Sequence, residues 1–433
     1  MVLTSCIYDD GEPDRGPSNP GEEKPFVSLR FGTLYTRAGS EGKTVTEKIG
    51  TLRIIMLNKD ALGNNKIEIN KHIPINGALD AAGYTFSGDG ENADIFRYEY
   101  TSVTVSGEKK FYIIANEESL GEVSFDEEYT EGISRELLSM TSITRILDSF
   151  DTDIKTGKNG GTSTSSRGDE IEAVLNSVHF RPEYTPNENG ELYLPYSAVY
   201  SGYKVGADNT GEYHGNSLET FMYIVPVATK FSFDFVNYRK ETVKIEDIKI
   251  SSAHEYNYLM AQLSDREKTK KIEGEEYYWI DWLAELTQQA QESGNVAQFN
   301  NNWGWIKDYR MPTGSMLKTL GLKDPAEGWI VKSRVNSYTP STNHFGPMFV
   351  PESRNAIRGT LNQAYYLSFY MHDTNTEEVK GFEDNLLPEL ESLFRATHVI
   401  ITVTLYDEDV DIYAQISPWN TETFRGYLLE EDI

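Results

Sequence analysis

FVSLRFGTLYTR, residues 26–37, is the stretch from which the fold can be predicted most directly. Apolar side chains alternate with small or polar ones, the pattern of a β-strand with one buried face. The apolar face consists of Val27, Leu29, Phe31 and Tyr35, with Thr33 between them. Residues 37–42 then read Arg-Ala-Gly-Ser-Glu-Gly. This predicts an exposed loop rich in small residues, in which a protease could reach Arg37.

The composition favours two β-rich domains. A chain of 433 residues is long for one domain. Its 27 tyrosines against 6 tryptophans suit half-buried strands. The formal net charge of −28 makes nucleic acids and anionic lipid surfaces poor partners. We therefore predict a mainly β protein with short helical insertions and no nucleic-acid partner.

The N-terminus contains the single cysteine of the chain, Cys6, which excludes internal disulfides and cysteine-based zinc sites. Leu3-Thr4-Ser5-Cys6 resembles the lipobox of bacterial lipoproteins, in which the cysteine carries the lipid. Residues 7–25 are acidic and rich in Pro and Gly, which predicts a disordered tether. The expectation is lipidation at Cys6, with the lipid as the only contact with a membrane; the alternative is a chance cysteine in a tail.

Further strands are predicted along the rest of the chain. The N-terminal domain, residues 26–217, has strand patterns at 49–58, 98–105, 111–116, 192–195 and 200–205, and a broken helix at 134–150. The C-terminal domain, residues 218–433, has them at 225–235, 243–250 and 364–371. It ends in a hairpin, 399–406 with 410–417, around an acidic turn. Residues 111–116 are nearly all apolar, which predicts a central strand.

Several ordered segments resemble the fimbrillins, pilins of the surface fimbriae of certain anaerobic Gram-negative bacteria. They are the first strand with Arg37-Ala38 and a soft linker, the turn-strand 106–116, the strand 225–235, Arg395 to His398, and Ile416 to Trp419. The resemblance implies two β-sandwich domains of transthyretin-like topology and export as a lipoprotein to the cell surface. It implies no enzymatic activity and no cofactor.

The same resemblance implies assembly by donor-strand exchange. An arginine-specific protease would cut between Arg37 and Ala38, and the strand that carries Val27, Leu29, Phe31 and Tyr35 would leave. A C-terminal segment of another fimbrial subunit would then occupy the vacated groove. In this chain the candidate donor residues are Phe424, Tyr427, Leu429 and Ile433, interrupted by acidic residues 430–432. Stalk, tip and anchor positions in the fibre all remain open.

Other motifs are weaker. Arg167-Gly168-Asp169 matches the integrin-binding tripeptide in a predicted exposed loop, which would allow a host protein partner. Asp407, Glu408, Asp409 and Asp411 lack the spacing of an EF-hand and are predicted to form a charged turn. The seven histidines do not cluster in sequence, and no HExxH, GxSxG or P-loop motif occurs.

Two rival functions remain open at this stage. The aromatic residues Trp303, Trp305, Tyr309 and Trp329 could stack on sugars, as in a monomeric glycan-binding surface lipoprotein, or could form a satellite core. A hydrolase with carboxylates gathered from distant loops needs no local motif.

Overall fold

The computed structural model describes residues 25–33, 46–60, 62–75, 83–87, 93–125, 130–153, 167–184, 187, 191–206, 217–260, 269–272, 275–278, 306–311, 329–354, 365–376, 378–387, 390, 392–393 and 395–418. β-Strands dominate these residues, and the prediction of a mainly β protein with short helical insertions is confirmed. Within them, no helix combines the length and the apolarity that a membrane span requires.

Among its described residues, the first half contains thirteen strands, three helices and a 3₁₀ turn over Glu117–Leu120. The helices are α1 (Arg135–Leu138), α2 (Ile143–Asp148) and α3 (Gly168–Ser177). The strands are β1 (Phe26–Thr33), β2 (Thr46–Glu47), β3 (Thr51–Lys59), β4 (Asn65–Pro74), β5 (Gly83–Ser87), β6 (Ala93–Val103), β7 (Gly107–Ala115), β8 (Val123–Phe125), β9 (Val178–Phe180), β10 (Glu191–Leu192), β11 (Tyr196–Val205), β12 (Ser217–Tyr223) and β13 (Val225–Pro226).

The second half consists of strands in the described residues. They are β14 (Thr229–Asn237), β15 (Val243–His254), β16 (Asn257–Tyr258), β17 (Thr269–Ile272), β18 (Glu275–Tyr278), β19 (Ile306–Arg310), β20 (Trp329–Val331), β21 (Ser341–Val350), β22 (Ser353–Arg354), β23 (Tyr366–Asp373), β24 (Val379–Leu386), β25 (Ser392–Leu393), β26 (Thr397–Leu405) and β27 (Val410–Pro418). The last two form the predicted C-terminal hairpin.

Two sheets form the sandwich of the first half. Sheet I has the order β12-β1-β6-β5, and sheet II has the order β13-β11-β7-β3-β4. Side chains from both sheets meet in one apolar core. The opposite face of sheet II packs against the three helices in a second core. Because sheet II is covered on both faces, β3 and β7 are buried along nearly their whole length, and β7 is central as predicted.

The second half repeats the sandwich arrangement. Sheet III has the order β21-β14-β26-β27, and sheet IV has the order β19-β15-β23-β24, with β20 also pairing with β15. Phe231, Phe233 and Phe235 of β14 and Val399, Ile401 and Val403 of β26 alternate into their common core. In β26 every second side chain is buried, whereas the first five residues of β14 are all buried and the alternation begins after Phe233. The prediction of two β-sandwiches is confirmed.

The predicted domain boundary between residues 217 and 218 lies too early. β12 pairs with β1 over seven residue pairs, and Met222 and Ile224 lie in the core of the first sandwich. The strand is needed there because β1 would otherwise have one unpaired edge. The first sandwich therefore extends through β13, and the second begins with β14.

Arg395 joins the two halves. Its guanidinium donates to Glu352 Oε2 at 2.5 Å and to Ser197 Oγ of β11 at 3.0 Å. It also donates to the carbonyl oxygens of Tyr258 and Leu259, at 2.8 and 2.9 Å. Arg395 and Glu352 are almost completely buried, so the ion pair is desolvated and fully hydrogen-bonded. Strand β16 reinforces this contact by pairing with β9 of the first half.

Replacing Arg395 by Met should lower the free energy of unfolding by about 3–5 kcal/mol, because Glu352 would remain as a buried charge without its partner. The matched control is Arg310→Met, which removes an exposed ion pair with Asp247 and should cost less than about 1 kcal/mol. Urea unfolding of both variants measures the difference. Equal effects would contradict the buried role of Arg395.

His398 gives the second half a pH-dependent stability. Burial, with smaller contributions from Lys230 and His344, lowers the pKa of His398 to about 4. The folded state therefore binds the proton less readily than the unfolded chain. The stability from neutral His398 is complete above about pH 6.5 and is lost as the pH falls towards 4.

We expect the unfolding free energy of the wild type to fall between pH 7 and pH 4 by up to about 3 kcal/mol more than that of His398→Gln. Glutamine can keep a hydrogen bond to Ser232 Oγ, which lies 2.8 Å from the imidazole Nε2. Urea titrations at a series of pH values measure this difference. The same pH dependence in both proteins would contradict the assignment.

Candidate functional site

β1 lies inside sheet I and not at its edge. All eight residues pair antiparallel with β6, from Phe26 opposite Val103 to Thr33 opposite Phe96. On its other side β1 pairs in parallel with β12, from Phe26 to Gly32. We call the facing edges of β6 and β12, with the core beneath them, the β1 seat. Without β1, this seat would expose unpaired backbone groups along two edges.

The side chains of β1 follow the predicted alternation. Val27, Leu29 and Phe31 are 0% exposed and belong to the core shared with sheet II, whereas Arg30 is exposed. Their neighbours in that core include Leu52, Ile54, Phe111, Ile113 and Tyr196. Burying three apolar side chains contributes about 5–9 kcal/mol, a large share of the about 5–15 kcal/mol that stabilises a typical domain.

One end of the seat is fixed by a buried ion pair. The carbonyl of Pro25 accepts from Thr104 N at 2.9 Å, and Thr104 Oγ1 donates to Glu68 Oε1 at 2.7 Å. Lys109 Nζ donates to Glu68 Oε2 at 2.6 Å and to Asn58 Oδ1 at 2.8 Å. Burial lowers the pKa of Lys109, while Glu68 opposes this shift. The groups that hold this end of the seat thus come from β4, β7 and the residue after β6.

Beyond residues 34–45, the chain is anchored by contacts separate from those of β1. Thr46 and Glu47 form β2, which pairs with β10. Glu47 is buried and contacts Lys230 Nζ at 3.3 Å and Tyr196 Oη at 3.4 Å. Burial raises the pKa of Glu47, against the opposing effect of Lys230. The residues after the linker thus have anchors in β10 and Lys230, besides Tyr196 of the core that they share with β1.

Several predicted site residues lie outside the described residues. They are the lipidation candidate Cys6, the apolar residue Tyr35, the cleavage pair Arg37 and Ala38, and the donor candidates Phe424, Tyr427, Leu429 and Ile433.

The Arg-Gly-Asp tripeptide lies at the N-terminus of a helix and not in a loop, but Asp169 is exposed and the Arg167 side chain is 40% exposed. The tripeptide lies at the start of α3, and Gly168 is buried, where a Cβ would meet the carbonyl oxygen of Asn65 at 2.1 Å. Arg167 packs over the Phe150 ring and donates to Glu170 Oε2, while Asp169 accepts from Asn65. These residues dock the helix onto β4, because only glycine fits at this close approach.

The described part of the Trp-rich region packs into the fold. The ring of Trp329 lies 4.9 Å from that of Phe345, and Tyr309 Oη donates to the carbonyl oxygen of His254 at 2.8 Å. Both residues pack against the core of the second sandwich, as the satellite-core alternative predicts. Trp303 and Trp305 lie outside the described residues.

The structure also brings together residues that no sequence pattern groups. His72 of β4 lies next to Glu117 and Glu118, which follow β7. These residues are far apart in sequence, so the contact cannot be predicted from the sequence. The alternation of side chains in β4 predicts a strand but does not identify the strand with which β4 pairs. Likewise, the pairing of β12 with β1 joins segments separated by most of the first half.

No family model matches the chain, and no curated protein matches it. Two similar solved structures are those of fimbrial proteins. The C-terminally truncated tip fimbrial protein Mfa3 from Porphyromonas gingivalis is 10% identical, with 91% of this chain and 100% of that chain covered and a TM-score of 0.36. A fimbrial protein from Bacteroides vulgatus is 8% identical, with 92% and 100% covered and a TM-score of 0.38.

Replacing Phe31 by Ala should lower the free energy of unfolding by about 3–5 kcal/mol, because it empties a fully buried position in the β1 seat. Amide hydrogen exchange should accelerate in β6 and β12 in this variant. In the matched control Phe233→Ala, it should accelerate in β21 and β26, which flank β14. Arg30→Ala should change stability by less than about 1 kcal/mol. Unchanged exchange in β6 and β12 of Phe31→Ala would contradict this role of β1.

Proposed function

We propose that the chain is a structural and adhesive subunit of a surface fibre that assembles by donor-strand exchange. The observation that supports this most is the complete insertion of β1 between two strands of its sheet. A strand held in this way keeps the seat closed to other chains until it is removed. A strand from another subunit could then supply the same backbone hydrogen bonds and apolar side chains, which is β-augmentation.

The proposal assigns Arg37 as the cleavage position. Residues 34–45 form the covalent link between β1 and the rest of the protein that follows it. Cleavage there would leave β1 held by non-covalent contacts alone, so its replacement would become irreversible. The new N-terminal segment would stay attached through β2 and the contact between Glu47 and Lys230.

The proposal also extends to the two termini. Cys6 would carry a lipid that retains the precursor at the outer membrane of the cell surface before cleavage. The residues after β27 would supply the donor strand, with Tyr427, Leu429 and Ile433 on one face. The partners are then other fimbrial subunits and an arginine-specific protease, with a host protein or glycan as the object of adhesion.

Limited digestion of the full chain with an arginine-specific protease should give an early cut after Arg37, and N-terminal sequencing should then begin at Ala38. Arg30 is the internal control, because its backbone is paired on both sides and is closed to a protease. Native mass spectrometry should detect residues 1–37 still bound to the remainder. Arg37→Ala should abolish the early cut, whereas Arg30→Ala should leave it unchanged.

A synthetic peptide of residues 419–433 should then displace the cleaved fragment, and it should fail to displace β1 from uncut protein. The control peptide carries Tyr427→Asp and Leu429→Asp, which place charges on the apolar face. An early cut within the two sandwiches in place of the cut after Arg37, or unfolding of the protein on cleavage at Arg37, would contradict the placeholder role of β1. Failure of the peptide alone would contradict only the assignment of the donor tail.

A further inference from the structure

A second site lies at the corner where edge strand β4 meets the 3₁₀ turn that follows β7. His72, Glu117 and Glu118 each offer one ligand atom there, and these atoms lie within 4.8 Å of one another. His72 Nε2 lies 2.8 Å from Glu118 Oε1 and 3.7 Å from Glu117 Oε1. One nitrogen and two oxygens thus converge on a volume that suits a single metal ion.

His72 Nε2 has an unusual environment for an imidazole nitrogen. The atom is shielded from solvent, and its 2.8 Å contact with Glu118 Oε1 does not have the geometry of a hydrogen bond. Buried polar atoms normally form such a bond. The nearby carboxylate oxygens are placed as co-ligands would be, so a cation between them would bind the nitrogen and the oxygens together.

The two carboxylates are held in position by other side chains. Arg53 donates from Nε to Glu117 Oε2 at 2.6 Å and from Nη2 to Glu117 Oε1 at 2.7 Å. Thr51 Oγ1 donates to Glu118 Oε2 at 2.6 Å, which leaves Oε1 directed towards His72. Hydrogen bonds to metal-binding carboxylates orient them in this way in known metal sites.

The charges at the corner favour a divalent cation. Glu117, Glu118 and Asp148 are negative, and Arg53, which also contacts Asp148 at 2.7 Å, is positive. With a neutral imidazole, the corner carries a net charge of −2. A divalent cation would neutralise this charge; without it, Glu117, which is 1% exposed, shares Arg53 with Asp148.

We propose that His72, Glu117 and Glu118 form a Zn²⁺ site with water as the fourth ligand. An imidazole nitrogen with carboxylate oxygens is a donor set of zinc, whereas Ca²⁺ and Mg²⁺ prefer oxygen alone. His72 and Glu118 are 27% and 47% exposed, which leaves a side open to solvent for the water. The site connects an edge strand to the turn beyond the central strand.

The same corner holds the residues that lead into β3. Gly50 N donates to Asn116 Oδ1 at 2.7 Å, and Asn116 Nδ2 donates to the carbonyl oxygen of Lys48 at 2.7 Å. Thr51 contacts Glu118. A bound Zn²⁺ would therefore stiffen the anchor of residues 48–51, the same segment that follows β2.

The test is calorimetric titration of Zn²⁺ into the metal-free full chain. The wild type should bind one ion, and His72→Ala and Glu118→Gln should each weaken binding by more than about tenfold. Glu118→Gln retains an acceptor for Thr51 and changes a half-exposed side chain, so the fold should survive. The matched control is His372→Ala, in which a similar pair, His372 Nε2 and Glu246 Oε2 at 2.7 Å, is removed.

Co²⁺ provides a second readout. The wild type should give the visible absorption of a four-coordinate ion, and His72→Ala should lose it. No stoichiometric Zn²⁺ binding, or equal weakening in His72→Ala and His372→Ala, would overturn the proposal. A Co²⁺ spectrum unchanged by His72→Ala would overturn it as well.

Discussion

The structure of the first half depends on the pairing of β1 with strands on both of its sides. A central strand contributes backbone hydrogen bonds along two edges and a row of side chains to the core, so its absence would open the sheet and the core together. Val27, Leu29 and Phe31 are completely buried, yet the strand stands at the start of the described chain.

The second half contains a strand in the position equivalent to that of β1. β14 lies between antiparallel β21 and parallel β26, just as β1 lies between β6 and β12. β14 continues into β15 across the short connection 238–242. Asn237 Nδ2 donates to the carbonyl oxygen of Glu241 in this connection and to that of Lys332 outside it. β1 is instead followed by the linker 34–45 with its basic residue. Twelve residues, 34–45, thus separate β1 from β2, whereas five residues, 238–242, separate β14 from β15.

Strands can be predicted well from the sequence where one face is buried. Their partners are harder to predict where the paired segments are remote in sequence. The alternation of residues 26–33 and of the final hairpin indicates both strands and buried faces correctly. It cannot identify β12 as the partner of β1, since register depends on contacts across most of a domain. It also cannot predict that Lys109 and Arg395 are buried, because such charges enter a core only with partners that tertiary structure supplies. Arg167-Gly168-Asp169 is the opposite case. Its sequence matches a binding motif, but in the structure its residues are used in packing.

The corner around Asn116 and the contact between Glu47 and Lys230 give the segment after the linker two anchors of different chemistry. One is a buried ion pair to the second half, and the other is a set of amide and carboxylate hydrogen bonds within the first. Neither uses a residue of β1. In the proposed exchange, the domain would have to keep the opposite sheet in register while the seat is open. Anchors that are independent of β1 would meet this requirement, because β3 and β7 would stay fixed beneath the open seat and would present the same apolar surface to an incoming strand.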